Sequence, residues 1–261
     1  MDLLQQVQLA PDQAAFWFLG QAGVIASDGH TTVVIDPYLS DSVGAVSPLF
    51  RRCVPSPLAP SELKADLLLV THDHLDHLDP DTIGPYRHKT TTLFIAPRFA
   101  AAKLHTLGIA EDRIAKVDIG ESITVDGTTI TGIFALPTSA DVLDTTGYLV
   151  TFANGRSVYH AADTAFCPLL LEAVPHSVDV LLAPINGKWG NLDIDQAIAL
   201  AAACRPRYVV PCHFDVMALN AEHPEAFRYF CAEKRLAATC VIPTVLQPFI
   251  WGASNEAISE R

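Results

Sequence analysis

From Thr71 to Asp79 the chain reads Thr-His-Asp-His-Leu-Asp-His-Leu-Asp, so the six residues His72 to His77 hold three imidazoles and two carboxylates. Imidazole nitrogen and carboxylate oxygen are donors that suit zinc, manganese or iron. In an extended loop His72 and His74 share one side by period two, and a turn at Leu75 sends Asp76 and His77 to a neighbouring position. The spacing therefore suits two adjacent metal positions on one short loop. The plain alternative is a solvated His/Asp-rich loop. It fits poorly, because the cluster directly follows the apolar run Asp66–Thr71.

Other ligand-type residues also stand just past apolar runs. Asp36 follows Thr32–Ile35, Asp163 follows Ser157–His160, Asn186 follows Val178–Ala183, and His213 follows Tyr208–Pro211. Rigid strands present functional residues at their ends, on loops. Together with His72, these make five strand endings expected to converge on one sheet edge. His160 lies on a strand and is expected to support a ligand, not to bind an ion. Cys212 adjoins His213 and so points to the opposite face, as a buried thiol. His30, His88, His105, His176 and His223 have no companion donors and are expected at the surface.

The elements that must position these groups are short. Further strands are expected at Ala15–Leu19, Thr92–Ala96, Ser122–Val125, Thr129–Ala135, Tyr148–Phe152 and Val245–Ile250, each rich in Val, Ile, Leu or aromatics and bounded by Gly, Pro or Asp. The apolar stretch Ala14–Ala26, broken by Gly20, Gln21 and Gly23, reads as a buried strand with a turn. Helices are expected at Arg98–Leu107, Ile194–Cys204 and Pro224–Arg235. Asp193 is a candidate N-cap of the second, with Pro206 just past its end, and Pro224 suits the first turn of the third. Strands then a helix, repeated in the second half, predict two packed sheets with helices outside, in a single domain over 1–261. The Pro-rich segment Pro48–Pro60 reads as a surface loop able to overhang a site. The loop Pro184–Asn191 reads either as a plain connection or as a substrate-facing loop. In the second case Asn186, Lys188 and Trp189 are its contact residues, and Lys188, with Arg51 and Arg52 as weaker candidates, would pair with an anionic substrate.

Half of the 261 residues are hydrophobic and 18% are charged, a globular and not a disordered composition. The formal charge of -12 repels polyphosphates, which excludes broad nucleic-acid binding. No apolar stretch is long enough to span a bilayer. The first basic residue is Arg51, so the positive region of a signal peptide is missing. The six cysteines form no C-x-x-C pair, and reduced thiols in a cytoplasmic protein are expected. No G-x-S-x-G elbow occurs, which removes the motif of a serine hydrolase.

The run His72-Asp73-His74-Leu75-Asp76-His77 resembles the H-x-H-x-D-H signature of the metallo-β-lactamase superfamily. The wider chain is similar to its L-ascorbate-6-phosphate lactonase-like branch, through Phe16-Trp17-Phe18, Thr71–Asp79, Val158–Asp163, Val210–Asp215 and Gln247–Trp251. The resemblance implies an αβ/βα four-layer sandwich, with two mixed sheets face to face and helices outside. It implies His72 and His74 as first-metal ligands, Asp76, His77 and His213 as second-metal ligands, Asp163 as the bridging carboxylate, and Asp36 as a supporting carboxylate. It further implies a metal-activated hydroxide attacking a sugar-type or other small lactone, or an ester, with Asp76 and Asp163 as the catalytic carboxylates. The substrate is expected to be a small molecule, neutral or anionic. A small-molecule phosphodiesterase or nuclease of the same fold and a non-catalytic metal-binding protein are the alternatives. A homo-oligomer is expected from the branch. One departure stands out: the superfamily pattern has a further first-metal His where Leu136–Asp141 has none. Asp141 or Asp144 could substitute, or the first site is weak or empty, so one or two divalent ions per chain are expected.

Overall fold

The structure is a computed structural model that describes residues 7–252. Alternation along its first strand decides the layering. In β1 (Gln13–Gly20), Ala14, Phe16 and Phe18 enter one core, and Ala15, Trp17 and Leu19 enter another. The next strands do the same. In β2 (Gly23–Ser27) and β3 (Thr32–Ile35), Val24, Ala26, Val33 and Ile35 share the first core, and Ile25 and Val34 the second. A sheet buried on both faces needs apolar residues at both phases of the period, so these strands read as continuous apolar runs.

With β4 (Leu67–Leu69), β5 (Leu93–Ala96) and β6 (Ile114–Lys116), these strands form the first sheet. The second sheet runs from β7 (Ser122–Val125) through β8 (Thr128–Phe134), β9 (Thr146–Thr151), β10 (Ser157–His160), β11 (Val180–Pro184) and β12 (Tyr208–Cys212) to β13 (Thr239–Cys240). The last strand, β14 (Pro248–Gly252), returns to pair with β1. Each sheet has seven strands, with an antiparallel part followed by a parallel part. The first core holds Phe16 and Val33 from one sheet and Tyr148, Val150 and Val158 from the other, so the sheets pack face to face.

Helices α1 (Ser42–Val46) and α2 (Pro80–Ile83) are short and lie in loops. Helix α3 (Arg98–Thr106) covers the outer face of the first sheet with Ala100, Ala101 and Leu104. On the second sheet lie α4 (Pro168–Ala173), α5 (Ile194–Cys204) and α6 (Pro224–Glu233). Asp193 caps α5 by accepting from the Gln196 amide at 2.8 Å, while Gln196 accepts from the Asp193 amide at 3.1 Å. This is the expected four-layer sandwich.

Several boundaries differ from expectation. The apolar stretch Ala14–Ala26 is two strands, β1 and β2, and not one. The last strand begins at Pro248 and not at Val245, because Leu246 is left-handed (φ 60°) and Val245 makes only an isolated bridge to Phe18. Strands β6 and β13 escape a periodicity reading because they have three residues and two. No helix among the described residues is long and apolar enough to cross a membrane.

Candidate metal centre

Strands β3 and β4 are parallel neighbours, so Asp36 and Thr71 leave the same sheet edge side by side. Asp36 is fully buried in a left-handed turn (φ 46°), which Asp tolerates better than most residues. Its Oδ1 accepts from the Thr71 amide at 2.8 Å. Its Oδ2 accepts from the Thr71 hydroxyl at 2.6 Å and from His77 Nδ1 at 2.7 Å. These contacts fix two tautomers. A carboxylate only accepts, so His77 carries its proton on Nδ1. The Thr71 hydroxyl spends its proton on Asp36 and therefore accepts from His72 Nδ1, 3.0 Å away. In the neutral form that a metal ligand requires, each imidazole then points its Nε2 lone pair away from Asp36. Lys103 of α3 pins the loop itself by donating to the Asp73 carbonyl at 2.5 Å.

The donors gather into two triads. His72, His74 and Asp163 form one, and Asp76, His77 and His213 the other, each with its donor atoms within 4.8 Å of one another. His72 Nε2 lies 3.0 Å from His74 Nδ1. Asp163 reaches both sides of the second triad, with Oδ1 3.4 Å from His77 Nε2 and Oδ2 3.2 Å from His213 Nε2. His213 Nε2 is also 3.4 Å from Asp76 Oδ2. His77 Nε2 and Asp163 Oδ1 are buried and have no hydrogen-bond partner. Buried polar atoms rarely stay unsatisfied, and two that face each other across 3.4 Å inside a ring of N and O donors suit a shared divalent cation. The residues present therefore fit the metal that the signature implies.

The electrostatics agree. Burial alone would lower His77 and His213, yet the charges of Asp163 and Asp76 outweigh it. His77 is raised well above the ordinary range and His213 to about 9. Burial would raise Asp76 and Asp163, but the facing imidazoles hold both well below the carboxylate range. His72 has less carboxylate around it, and burial takes it down to about 3. The negative charge of Asp36, Asp76 and Asp163 around His77 and His213 is what a divalent cation would compensate.

Four supporting residues escape a reading of the sequence. Asn191 donates from Nδ2 to Asp163 Oδ2 at 2.8 Å and accepts from the Thr164 amide at 3.0 Å. Gln21, buried in the β1–β2 turn with φ 54°, donates to Asp76 Oδ2 at 2.8 Å, and its carbonyl accepts from the His213 amide at 2.6 Å. Thr71 links Asp36 to His72, and Asn220 Nδ2 lies 3.5 Å from His213 Nδ1. Of the four, Gln21 leaves one trace in the sequence, as a polar side chain inside an apolar run.

The expected residues divide. Asp36, His72, His74, Asp76, His77, Asp163 and His213 come together. His160 touches backbone only. Its Nε2 lies 2.8 Å from the Ala22 carbonyl and its Nδ1 accepts from the Ala162 amide at 3.1 Å, which sets the turn before Asp163. Asp144 is turned away to accept from the Phe99 amide at the start of α3, so it does not replace the missing imidazole. Asp141 is exposed, and its Oδ2 lies 3.6 Å from His74 Nε2, the ring nitrogen other than the one facing His72. Cys212 is buried, and burial raises its thiol well above the usual range.

Above the triads opens a cavity of about 430 Å³, which Asn186 and Trp189 line together with His74, Asp76, Asp163 and His213. Lys188 is not among the lining residues. Its ammonium donates to the Ala221 carbonyl at 3.0 Å.

Known proteins agree with this geometry. The model of the Beta-lactamase superfamily domain matches residues 31–214. A UPF0173 metal-dependent hydrolase of Pyrobaculum islandicum is 32% identical over 214 residues, covering 81% of this chain and 88% of the relative. One from Thermococcus kodakarensis is 31% identical over 246 residues, covering 88% and 95%. Igni18, a metallo hydrolase from Ignicoccus hospitalis, superposes with a TM-score of 0.73 at 23% identity, covering 92% of this chain and 98% of that one. Fold and site together define a protein of the metallo-β-lactamase superfamily. Within it, the chain belongs to the UPF0173 metal-dependent hydrolase family.

Proposed function

We propose that this chain hydrolyses the carbonyl of a small lactone or ester on a divalent metal centre held by His72, His74, Asp76, His77, Asp163 and His213. The observation that carries the reading is the pair of buried atoms without a hydrogen-bond partner, His77 Nε2 and Asp163 Oδ1, next to a cavity that Asp163 lines and that is large enough for a small molecule. A divalent ion bound there supplies a Lewis acid and lowers the pKa of water. Asp163, oriented by Asn191, offers one oxygen toward each imidazole of the second triad. Asp76, held by Gln21 and kept ionised by His77 and His213, lines the cavity, where it would accept a hydrogen bond from the attacking water. The lactone class rests on the resemblance of Thr71–Asp79 and Val210–Asp215 to the lactonase-like branch.

Each triad holds two imidazoles and one carboxylate with one member partly exposed, but Asp163 also faces His77 and His213 at 3.4 and 3.2 Å, so the second position has four donors and the first has three. The second triad therefore holds its ion at lower free metal, and the first fills later, with zinc, manganese or iron as candidates. The test is hydrolysis of γ-butyrolactone, phenyl acetate and bis(p-nitrophenyl) phosphate by the full chain before chelation, after it, and after zinc or manganese is restored. Carbonyl turnover that vanishes with chelator and returns with metal supports the reading. Turnover of the phosphodiester alone, or turnover indifferent to chelator, overturns it.

A further inference from the structure

Most of the cavity wall above the metal centre is apolar. Val43 and Phe50 come from the segment after β3, Trp189 from the loop between β11 and α5, and Met217 from the segment after β12. The Phe50 and Trp189 rings meet at 5.2 Å between centroids, tilted by 57°. Three distant stretches of chain thus bring large apolar side chains to one wall. Trp189 remains 49% exposed. Its backbone is left-handed (φ 49°), a conformation that strains a bulky L-residue. The next residue, Gly190 (φ 88°), lies so near the Thr138 carbonyl that a Cβ there would stand 2.5 Å from the oxygen. The turn at 189–190 is therefore set against the 136–142 loop and presents the indole to the cavity.

Positive side chains are engaged elsewhere. Lys188 is bound to the Ala221 carbonyl. Arg52 donates to the Tyr38 carbonyl at 3.0 Å and lies over the Tyr38 ring, and Arg51 faces Asp41 at 3.7 Å. Among the described residues no Lys or Arg lines the cavity, whereas the exposed carboxylate Asp141 does. An anionic substituent there would meet the apolar wall, the neutral polar side chains Thr138, Ser139 and Asn186, and the charge of Asp141, with no cationic side chain to pair with.

We infer that the Phe50–Trp189–Met217 wall is a substrate subsite for an uncharged alkyl or aryl group, so that the substrate is a neutral apolar lactone or ester and not a phosphorylated sugar. This rests on the hydrolase reading above and narrows it. The test reads binding apart from turnover. Trp17 and Trp251 are buried and Trp189 is not, so Trp189 fluorescence reports on the subsite. The metal-loaded full chain is titrated with γ-lactams bearing methyl, butyl, hexyl or phosphomethyl groups on the ring. The dissociation constant is expected to fall about fourfold per added methylene until the wall is covered. Phe50→Leu should weaken hexyl binding several-fold and leave the methyl compound unchanged. Affinity flat with chain length in wild type, or tighter binding of the phosphomethyl compound than of the butyl one, overturns the inference. Chain-length-dependent binding with no turnover of the matching lactones would overturn the hydrolase reading and leave the subsite standing.

Discussion

Replacing Asp36 by asparagine tests the tautomer argument, since it exchanges one oxygen for nitrogen at nearly constant volume. In the native chain Oδ2 accepts from both His77 Nδ1 and the Thr71 hydroxyl. If the new amide nitrogen takes that place, it donates to His77 Nδ1, and the imidazole proton moves to Nε2. It also donates to the Thr71 oxygen, so the hydroxyl proton turns to His72 Nδ1 and the His72 proton moves to Nε2. Both metal-facing nitrogens are then blocked. The opposite amide orientation sets the NH₂ against the Thr71 amide, which lies 2.8 Å from the native Oδ1, and leaves a buried N–H unpaired at a cost of about 1–3 kcal/mol. Loss of such a supporting partner typically weakens metal binding by about 10–100-fold. With metal in excess, the stabilisation by bound metal shrinks by RT ln of that factor, about 1.4 to 2.7 kcal/mol. The assay is competition with a chromophoric chelator, together with melting of metal-loaded and metal-free protein. A dissociation constant within twofold of wild type would refute the reasoning, because Asp36 would then be structural only.

Other consequences are as specific. Asn191→Ala removes a donor to Asp163 and the acceptor of the Thr164 amide, both buried, and should destabilise the fold by about 2 kcal/mol in urea denaturation. Asp193→Ala should cost about 1 kcal/mol by the same measurement through loss of the α5 cap, with metal affinity unchanged. Under native conditions a thiol reagent should label Cys53, which is exposed, well before Cys204, Cys212 and Cys231, which are buried. Burial also pushes the Cys204 thiol up to about 12, and peptide mapping with and without denaturant reads the order.

Much of this is legible from type and spacing. β3, β7, β10 and α5 fall on their expected residues, because each is a bounded run of one periodicity. The ligand-type residues past β3, β4, β10, β11 and β12 do converge, but from parallel strands of two sheets and not from one sheet edge as expected. β4 is shorter than its apolar run because Thr71 leaves the ladder to meet Asp36. What stays hidden depends on tertiary placement. Nothing local distinguishes Asn191 from Asn186, yet only Asn191 reaches Asp163. Lys188 is the obvious cation of its loop, and the backbone of that loop aims Trp189 at the cavity instead. Helices α1, α2 and α4 have four to six residues, too few for a helical period to show.

The most direct test of the metal centre is elemental analysis of the full chain equilibrated at stepwise free zinc or manganese, in wild type and in His213→Ala, with lactone hydrolysis followed on the same samples. The account predicts two-stage loading in wild type, activity that rises with bound metal, and loss of the tighter stage with activity in His213→Ala. Wild type that binds no metal, or His213→Ala that loads and hydrolyses like wild type, would contradict it.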